Sequence, residues 1–257
     1  MLAEERRNQL LSYVRRQGFA SPQQLAELLH VSESTIRRDL EHLEETGSTK
    51  RTHGGVYYVG PTSKISQFEG HLPRHLQRKQ TIANVAKNLV QEGDTVLFDG
   101  GSTTYEVAQL LVGRPLQVVT NSLPVANLFA SDPHTDLVLV GGYVYPKTGV
   151  ALGPHAKAML KEIRVRKTIM SASGITEQGL FNRNYLLVET ERAMIEAAEE
   201  VIIVADSSKF GHQNLAYLTA LNNVDWMVVD NHLSEEWRKK IRSAGIELII
   251  ADDEETN

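Results

Sequence analysis

The chain has 257 residues, 41% of them hydrophobic and 23% charged, which excludes a disordered chain and suits one large or two modest globular domains. No apolar run approaches the roughly 18 residues of a membrane span, and the absence of cysteine removes disulfides, thiolate zinc sites and cysteine nucleophiles together. The net charge of −5 is uneven. Residues 1–60 hold eight basic and eight acidic side chains, 61–80 hold four and one, and 81–257 hold 15 and 23, so any DNA contact must be local to the N-terminal part. The opening Met1-Leu2-Ala3-Glu4-Glu5-Arg6-Arg7 turns charged at once, unlike a secretory leader, and a cytoplasmic location is expected.

In chain order, a first helix is predicted from Glu4 to about Gln17, with Leu10, Leu11 and Val14 at helical spacing and Gly18 ending it. Ser21-Pro22 starts a second, with Leu25, Leu28 and Leu29 as its buried side. Ser32 caps a third, from about Glu33 to Thr46, and Gly47 stops it. Thr49 to Tyr58 reads as two β segments around Gly54-Gly55. This is the plan of a small winged helix-turn-helix domain over residues 1–60. Residues 61–77, rich in Pro, Gly, Ser and His, read as a linker. From 78 to 257, apolar runs at 95–98, 117–119, 137–140, 168–170, 201–205, 226–229 and 247–250 alternate with helical stretches near 81–91, 104–112, 122–130, 153–162, 188–199 and 234–243. That alternation predicts a Rossmann-like α/β domain with a mostly parallel sheet covered on both faces.

On the third helix, Ile36, Leu40 and Leu43 form the stripe that faces the other two. The opposite face carries Ser34, Arg38, Glu41 and Glu45, with Thr35 and Arg37 on the flanks. Hydroxyls and arginines therefore sit at the N-terminal end and carboxylates further along, so only that end suits a DNA groove. Arg37 or Arg38 can pair with guanine in a bidentate contact, and Ser34 and Thr35 can meet phosphate or base. The wing Lys50-Arg51-Thr52-His53 would lie across the backbone. The candidate DNA contacts are Ser32, Ser34, Thr35, Arg37, Arg38, Lys50, Arg51 and His53. The plainer account of Arg37-Arg38 is surface pairing with Glu33, Glu41 and Glu45; the hydroxyls and the basic hairpin weigh against it.

Polar residues follow the apolar runs in the second part, where open α/β sheets bind ligands. Asp99-Gly100-Gly101-Ser102-Thr103-Thr104 opens a helix, and glycines, hydroxyls and a helix N-terminus together suit phosphate. It is neither a Walker A loop nor a dinucleotide fingerprint, so a small phosphorylated ligand fits better. Asp99 and Asp206 can bind sugar hydroxyls or cap the helices that follow. Lys209 is a phosphate partner or an exposed loop lysine, and Glu189 suits a helix N-terminus on dipole grounds alone. Of nine histidines, His71 and His75 are four apart but straddle Pro73 with no carboxylate pair, so no metal or other cofactor is expected.

The string Val31-Ser32-Glu33-Ser34-Thr35-Ile36-Arg37-Arg38-Asp39-Leu40, with Leu43, Gly47 and Arg51 to Gly55, resembles the DeoR family of bacterial transcription regulators. Ser48-Thr49 departs from the larger apolar residues usual there, and a slightly looser wing is expected. Further on, Lys79, Ile82-Ala83, Gly93-Asp94, Asp99 to Thr104, Thr120-Asn121, Gly141-Gly142, Gly174-Ile175 and Asp206 to Phe210 resemble the family's sensor domain, which is similar to ribose-5-phosphate isomerases and binds phosphorylated sugars. The resemblance implies that Asp99, Gly100, Gly101, Ser102, Thr103 and Thr104 hold phosphate. It adds Lys79, Thr120, Asn121, Gly141, Gly142, Glu189 and Lys209 as pocket candidates. Arg166 stands where an acid is expected, a difference placed at a subunit contact or the pocket rim. The expected function is a regulator, a repressor of a carbohydrate operon, working as a homo-oligomer (dimer or tetramer) on operator DNA and released by a phosphorylated sugar. The alternatives are an isomerase-like enzyme with a DNA-binding appendage, drawing on Asp99, Glu189, Asp206 and Lys209, and a C-terminal domain that only oligomerises.

Overall fold

The structure, a computed structural model, describes residues 3–17, 19–45, 49–52, 55–58 and 75–252. The chain divides into two units, Met1–Ser63 and Lys64–Asn257.

In the first unit, helices α1 (Ala3–Gln17), α2 (Pro22–Leu29) and α3 (Glu33–Glu45) precede the antiparallel strands β2 (Thr49–Thr52) and β3 (Gly55–Tyr58). A two-residue strand β1 (Phe19–Ala20), too short to show any periodicity, pairs with β3. Ser21 and Gln24 cap α2 reciprocally: Ser21 Oγ accepts from Gln24 N at 3.2 Å, and Gln24 Oε1 accepts from Ser21 N at 2.9 Å. Leu10, Val14, Leu25, Leu29, Ile36, Leu40, Leu43 and Val56 form one core. Leu28, expected on the buried side of α2, is exposed instead, and Ala26 takes its place. In a two-turn helix, a small tilt of the buried stripe decides which flank is covered.

The second unit is built on strands β4 (Thr95–Phe98), β5 (Leu116–Thr120), β6 (Thr135–Leu139), β9 (Val165–Met170), β12 (Ala198–Ala205), β14 (Trp226–Asp230) and β15 (Glu247–Ala251). They form one parallel sheet in the order β15-β14-β12-β9-β4-β5-β6. Helices α4 (Leu76–Ala86), α5 (Ser102–Gln109) and α6 (Leu123–Phe129) supply Ile82, Val107 and Val125 to the core on one face. Helices α7 (Pro154–Glu162), α8 (Tyr185–Ala197) and α9 (Glu235–Ser243) supply Leu160, Val188 and Ile241 to the core on the other. The chain runs outward from β4 through β5 to β6, then returns to lay β9 on the other side of β4. The order therefore reverses between β4 and β9, the switch point where such sheets open a crevice.

Two small antiparallel additions carry no long apolar run and were not predicted. One is the hairpin β7 (Tyr143–Tyr145) and β8 (Val150–Leu152); the other is a three-stranded sheet of β10 (Gly174–Thr176), β11 (Gly179–Asn182) and β13 (Ala216–Thr219). The hairpin is strapped to the end of β5, with Ala151 N donating to Asn121 O at 2.7 Å and Leu123 N to Gly149 O at 2.9 Å. At the opposite end of the sheet, buried Asp94 pairs with Lys167 and Arg166, each at 3.0 Å. Arg166 thus lies in β9 at the end away from the crevice, which rules out the pocket rim, one of the two places expected for it. Among the described residues no helix is long and apolar enough to cross a membrane, and no group of three or more His, Asp or Glu could hold a metal ion.

Candidate functional site

On α3 the sequence repeats hydroxyls at its start, and they cluster. Ser32 Oγ lies 2.9 Å from both Ser34 Oγ and Thr35 Oγ1 and accepts from Thr35 N at 3.3 Å, so it caps the helix while ordering its neighbours. Arg37 and Arg38 are exposed one turn on. Arg37 leans 3.6 Å from Glu33 in an exposed pair, while Arg38 has no ion pair among the described residues. Asp39 faces the other way and is buried. Its Oδ2 accepts from Arg6 Nε at 2.6 Å and its Oδ1 from Arg7 Nε at 3.1 Å, which fixes α3 against α1 and so sets the direction in which Arg38 points. Lys50 and Arg51 lie in β2, of which only the strand is described; His53 lies outside the described residues. A groove of about 770 Å³ between α1 and α2 is lined in part by Glu4 and Glu5, a surface that repels phosphate.

In the second unit, a cavity of about 660 Å³ opens at the switch point. Asp99 to Thr103, after β4, and Ser171 to Ser173, after β9, flank it. Asn121 closes it from β5, Asp206, Ser208 and Lys209 from β12, Lys79 from α4, and Tyr145, Lys147, Thr148 and Val150 from the hairpin. Asn182, Arg183 and Asn184 lead into α8, which contributes Thr190 and Glu191. Of the residues expected in a pocket, the structure brings together Lys79, Asp99, Gly100, Gly101, Ser102, Thr103, Asn121 and Lys209. Thr104 and Thr120 are buried outside the lining. Thr120 Oγ1 donates to Phe98 O at 2.8 Å and accepts from Ser122 N at 3.1 Å, a role in holding β5 to β4. Gly141 and Gly142 stand exposed after β6, and Glu189 pairs with Lys157 on α7 at 2.8 Å, all three outside the lining.

The glycines of the β4–α5 loop are required by packing. A Cβ on Gly101 would lie 2.0 Å from Ser171 Oγ, and one on Gly100 would lie 2.1 Å from Val150 Cγ1. The loop is thereby wedged between β9's end and the hairpin. Asp99 does not cap α5, whose N-cap is Gly101 with no side-chain cap. Its two oxygens instead accept Gly101 N at 2.9 Å and Ser171 N at 3.0 Å. Burial pushes the Asp99 carboxyl above the usual range, against the hydrogen bonds from Ser171, Thr104 and Gly101. Asp206 does cap the short turn Ser207–Lys209, accepting Ser208 N at 3.1 Å. Although burial opposes it, the Ser208 hydrogen bonds and the Lys209 charge, 3.5 Å away, hold Asp206 below the usual range. Burial lowers the Lys79 ammonium, with Asp206 pulling the other way.

Sequence reasoning did not single out Glu191. It is 8% exposed, its Oε1 accepts Asn182 Nδ2 at 2.6 Å, and its pKa is pushed up to about 8, first by burial and then by the charge of Asp99. An acid within the helical run Glu189-Thr190-Glu191-Arg192 looks like surface until the apolar stripe Val188, Ala193 and Met194 fixes which side is covered. Seven buried side-chain oxygens lack a hydrogen-bond partner among the described residues, and five belong to residues lining this cavity: Asn121, Thr148, Thr190, Glu191 and Asp206. Folded proteins rarely leave such groups unpaired, and their convergence on one cavity marks a place for a polar ligand.

Comparison with known proteins gives the same two-part division. Residues 6–62 match the DeoR-like helix-turn-helix domain and residues 74–231 match the DeoR C terminal sensor domain. The chain is 30% identical over 254 residues to the HTH-type transcriptional regulator GolR of Listeria innocua, covering 98% of this chain and 100% of that protein. It is 28% identical over 255 residues to the HTH-type transcriptional repressor GlcR of Bacillus subtilis, covering 99% of each. A solved ribose 5-phosphate isomerase A from Methanocaldococcus jannaschii aligns with 51% of this chain and 53% of that one at 19% identity and a TM-score of 0.39, too slight a likeness to argue from.

Proposed function

The chain belongs to the DeoR family of DNA-binding transcription regulators, and from that premise we propose that it represses a carbohydrate-metabolism operon and leaves its operator when a phosphorylated sugar fills the C-terminal cavity. Its relatives are regulators and repressors, so the isomerase-like alternative is set aside.

The observation that carries the reading is the set of four unpaired polar groups, on Asn121, Thr148, Thr190 and Glu191, around a cavity that also presents Lys79, Lys147, Arg183 and Lys209, the last ion-paired with Asp206. An apolar ligand would leave those groups unpaired, whereas a sugar supplies hydroxyls to them and a phosphate supplies charge to the cations. The phosphate would sit against Gly100 to Thr103, where the start of α5 adds its dipole. The N-terminal end of α3 enters the major groove, with Arg38 reading a base and Ser34 and Thr35 meeting the backbone. A symmetric homo-oligomer presents two such helices to palindromic half-sites. The effector acts by binding one arrangement of the oligomer more tightly than the other.

A thermal-melt panel of sugar phosphates and their free sugars, in phosphate-free buffer, tests this. A ligand at a hundred times its Kd adds about 2.7 kcal/mol. The expected result is that one phosphosugar stabilises the protein and releases operator DNA while its free sugar does neither. A Ser102→Ala, Thr103→Ala double variant should bind operator and ignore that phosphosugar. If no phosphosugar shifts the melt or the DNA affinity, the C-terminal unit serves oligomerisation and the effector reading fails.

A further inference from the structure

Glu191 is the one carboxyl of the cavity that accepts a single hydrogen bond and keeps a second oxygen, Oε2, buried and without a partner among the described residues. Asp99, whose charge acts on it, already has both oxygens taken by backbone N–H groups. Two acids sharing a low-dielectric site do not both ionise. Asp99 has the two donors that a carboxylate needs, so Glu191 keeps the proton.

Resting on the phosphosugar reading, we propose that Glu191 binds the effector as a neutral carboxylic acid, donating its O–H to an oxygen of the sugar. The carboxyl then discriminates between sugars by whether they place an acceptor oxygen there, because a buried donor left unpaired is costly. Ionised, the same group would lose its donor and set a second negative charge beside Asp99, facing an anionic ligand.

Among the described residues, no cation is hydrogen-bonded to or ion-paired with Glu191. On α7, which packs against α8, Lys157 is taken by Glu189. Arg192, on Glu191's own helix, donates to the carbonyl of Leu218 at 2.9 Å and to that of Tyr217, both in β13. The Tyr217 ring stacks edge-on against Phe181 of β11. Lys167 of β9 lies with Asp94 and Glu200 at the other end of the sheet. Within the cavity, Lys79 and Lys209 act on Asp206, while His75, Lys147 and Arg183 are exposed. The shifts on Glu191 trace to its burial, Asp99 and Asn182.

The test is isothermal titration of a panel of pentose and hexose phosphates, with inorganic phosphate alongside, from pH 7 to 9.5 on wild type, Glu191→Gln and Glu191→Ala. A phosphate ester is already dianionic over most of this range, its second pKa being about 6, so its own titration contributes little. With Glu191 titrating at about 8, the best panel member should lose about tenfold in affinity between pH 7 and 9 in wild type. It should also take up about 0.8 proton per binding event at pH 8.5, read from heats in buffers of different ionisation enthalpy. Glu191→Gln, whose amide donates at every pH, should change less than about twofold over the same interval, and Glu191→Ala should lose at least about tenfold at pH 7. Loss of charge on Lys79 would persist in the glutamine variant and is separated that way. Panel binding with equal pH dependence in wild type and Glu191→Gln overturns the role of Glu191 and leaves the phosphosugar reading standing. If Glu191→Gln does not fold, absence of proton uptake by wild type overturns it equally. No binding by wild type at any pH overturns both.

Discussion

Replacing Glu191 by glutamine also has a consequence without any ligand, in how stability varies with pH. In the folded chain the carboxyl titrates at about 8, against an ordinary value of 4.5. A group whose pKa is raised on folding gives its full contribution below the ordinary value, and loses it as the pH rises to the folded one. At ~1.4 kcal/mol per unit, the loss amounts to roughly 5 kcal/mol once the pH is well above 8, of which roughly 2–3 kcal/mol falls between pH 6 and 9. Glutamine keeps the shape and the acceptor for Asn182 but cannot ionise. The pair with Asp99 titrates jointly, so the quantity to read is the difference between variant and wild type. The assay is urea unfolding at pH 6, 7, 8 and 9, followed by tryptophan fluorescence. Both tryptophans, Trp226 and Trp237, lie in β14 and α9, so the signal reports the C-terminal unit alone. Glu191→Gln should gain on wild type by roughly 2–3 kcal/mol across that range. Stabilities that run parallel from pH 6 to 9 would refute a proton held by the pair in the folded state.

Arg38→Ala should weaken specific operator binding by about 1–3 kcal/mol and relax preference at one base position, measured by gel shift on an operator series; unchanged affinity would sink the assignment. Arg37→Ala, whose side chain already leans on Glu33, should cost less. Asp39→Ala removes the partner of Arg6 and Arg7 and should destabilise the N-terminal unit, by less than breaking a fully buried pair would because both arginines stay partly hydrated. Amide exchange in α1 and α3 would show it, and operator affinity should fall with it. Gly101→Ala forces a Cβ onto Ser171 Oγ and should lower stability by about 1–3 kcal/mol, with Ser171→Gly restoring much of the loss in a thermal melt.

The sheet was legible because each parallel strand leaves an apolar run, even the edge strand β6, where Val138 and Leu139 are exposed. β4 spans Thr95–Phe98 as its run predicts, and the other six strands extend their runs by one to three residues, apart from β6, which also ends one residue early. The helices were legible where an apolar stripe met a cap, as at Ser122 and Ser234, each accepting from the backbone of its own helix. α4 begins at Leu76, inside the stretch expected as linker and five residues before its predicted start. After Leu76 it opens with the polar run Gln77-Arg78-Lys79-Gln80, and a buried lysine reads as surface in any pattern of polarity. The antiparallel additions escaped because strands of three or four residues around Gly174 and Gly179 show no alternation. Cavity-lining residues that follow strand ends, such as Asp99 to Thr103 and Lys209, carry a positional signal, one that Gly141 and Gly142 share without lining the cavity. Those on α8 and the hairpin depend on how a helix face and a turn fold back over the sheet, which spacing along the chain does not encode.

The distribution of unpaired groups gives the reason a sensor would keep such a cavity. A binding site lined with satisfied groups gains little by telling one sugar phosphate from another, since each ligand hydroxyl merely exchanges water for protein. A site with several buried groups unpaired penalises every ligand that fails to meet them, and discrimination between near-identical sugars grows with the number left unmet. Asn121 follows β5, whereas Thr190 and Glu191 lie on α8, so the unpaired groups come from separate elements around the cavity. On the proposed reading, a ligand held at the β4–α5 loop by charge would have to reach both elements to satisfy them. On that same reading, charge would supply affinity for the phosphate common to all candidates, and the unpaired groups would supply the choice among them. Selective analogues should accordingly differ in the sugar, and analogues lacking only the hydroxyl that meets Thr190 or Asn121 should bind at least tenfold more weakly, about 1.4 kcal/mol, while inorganic phosphate competes with all of them alike.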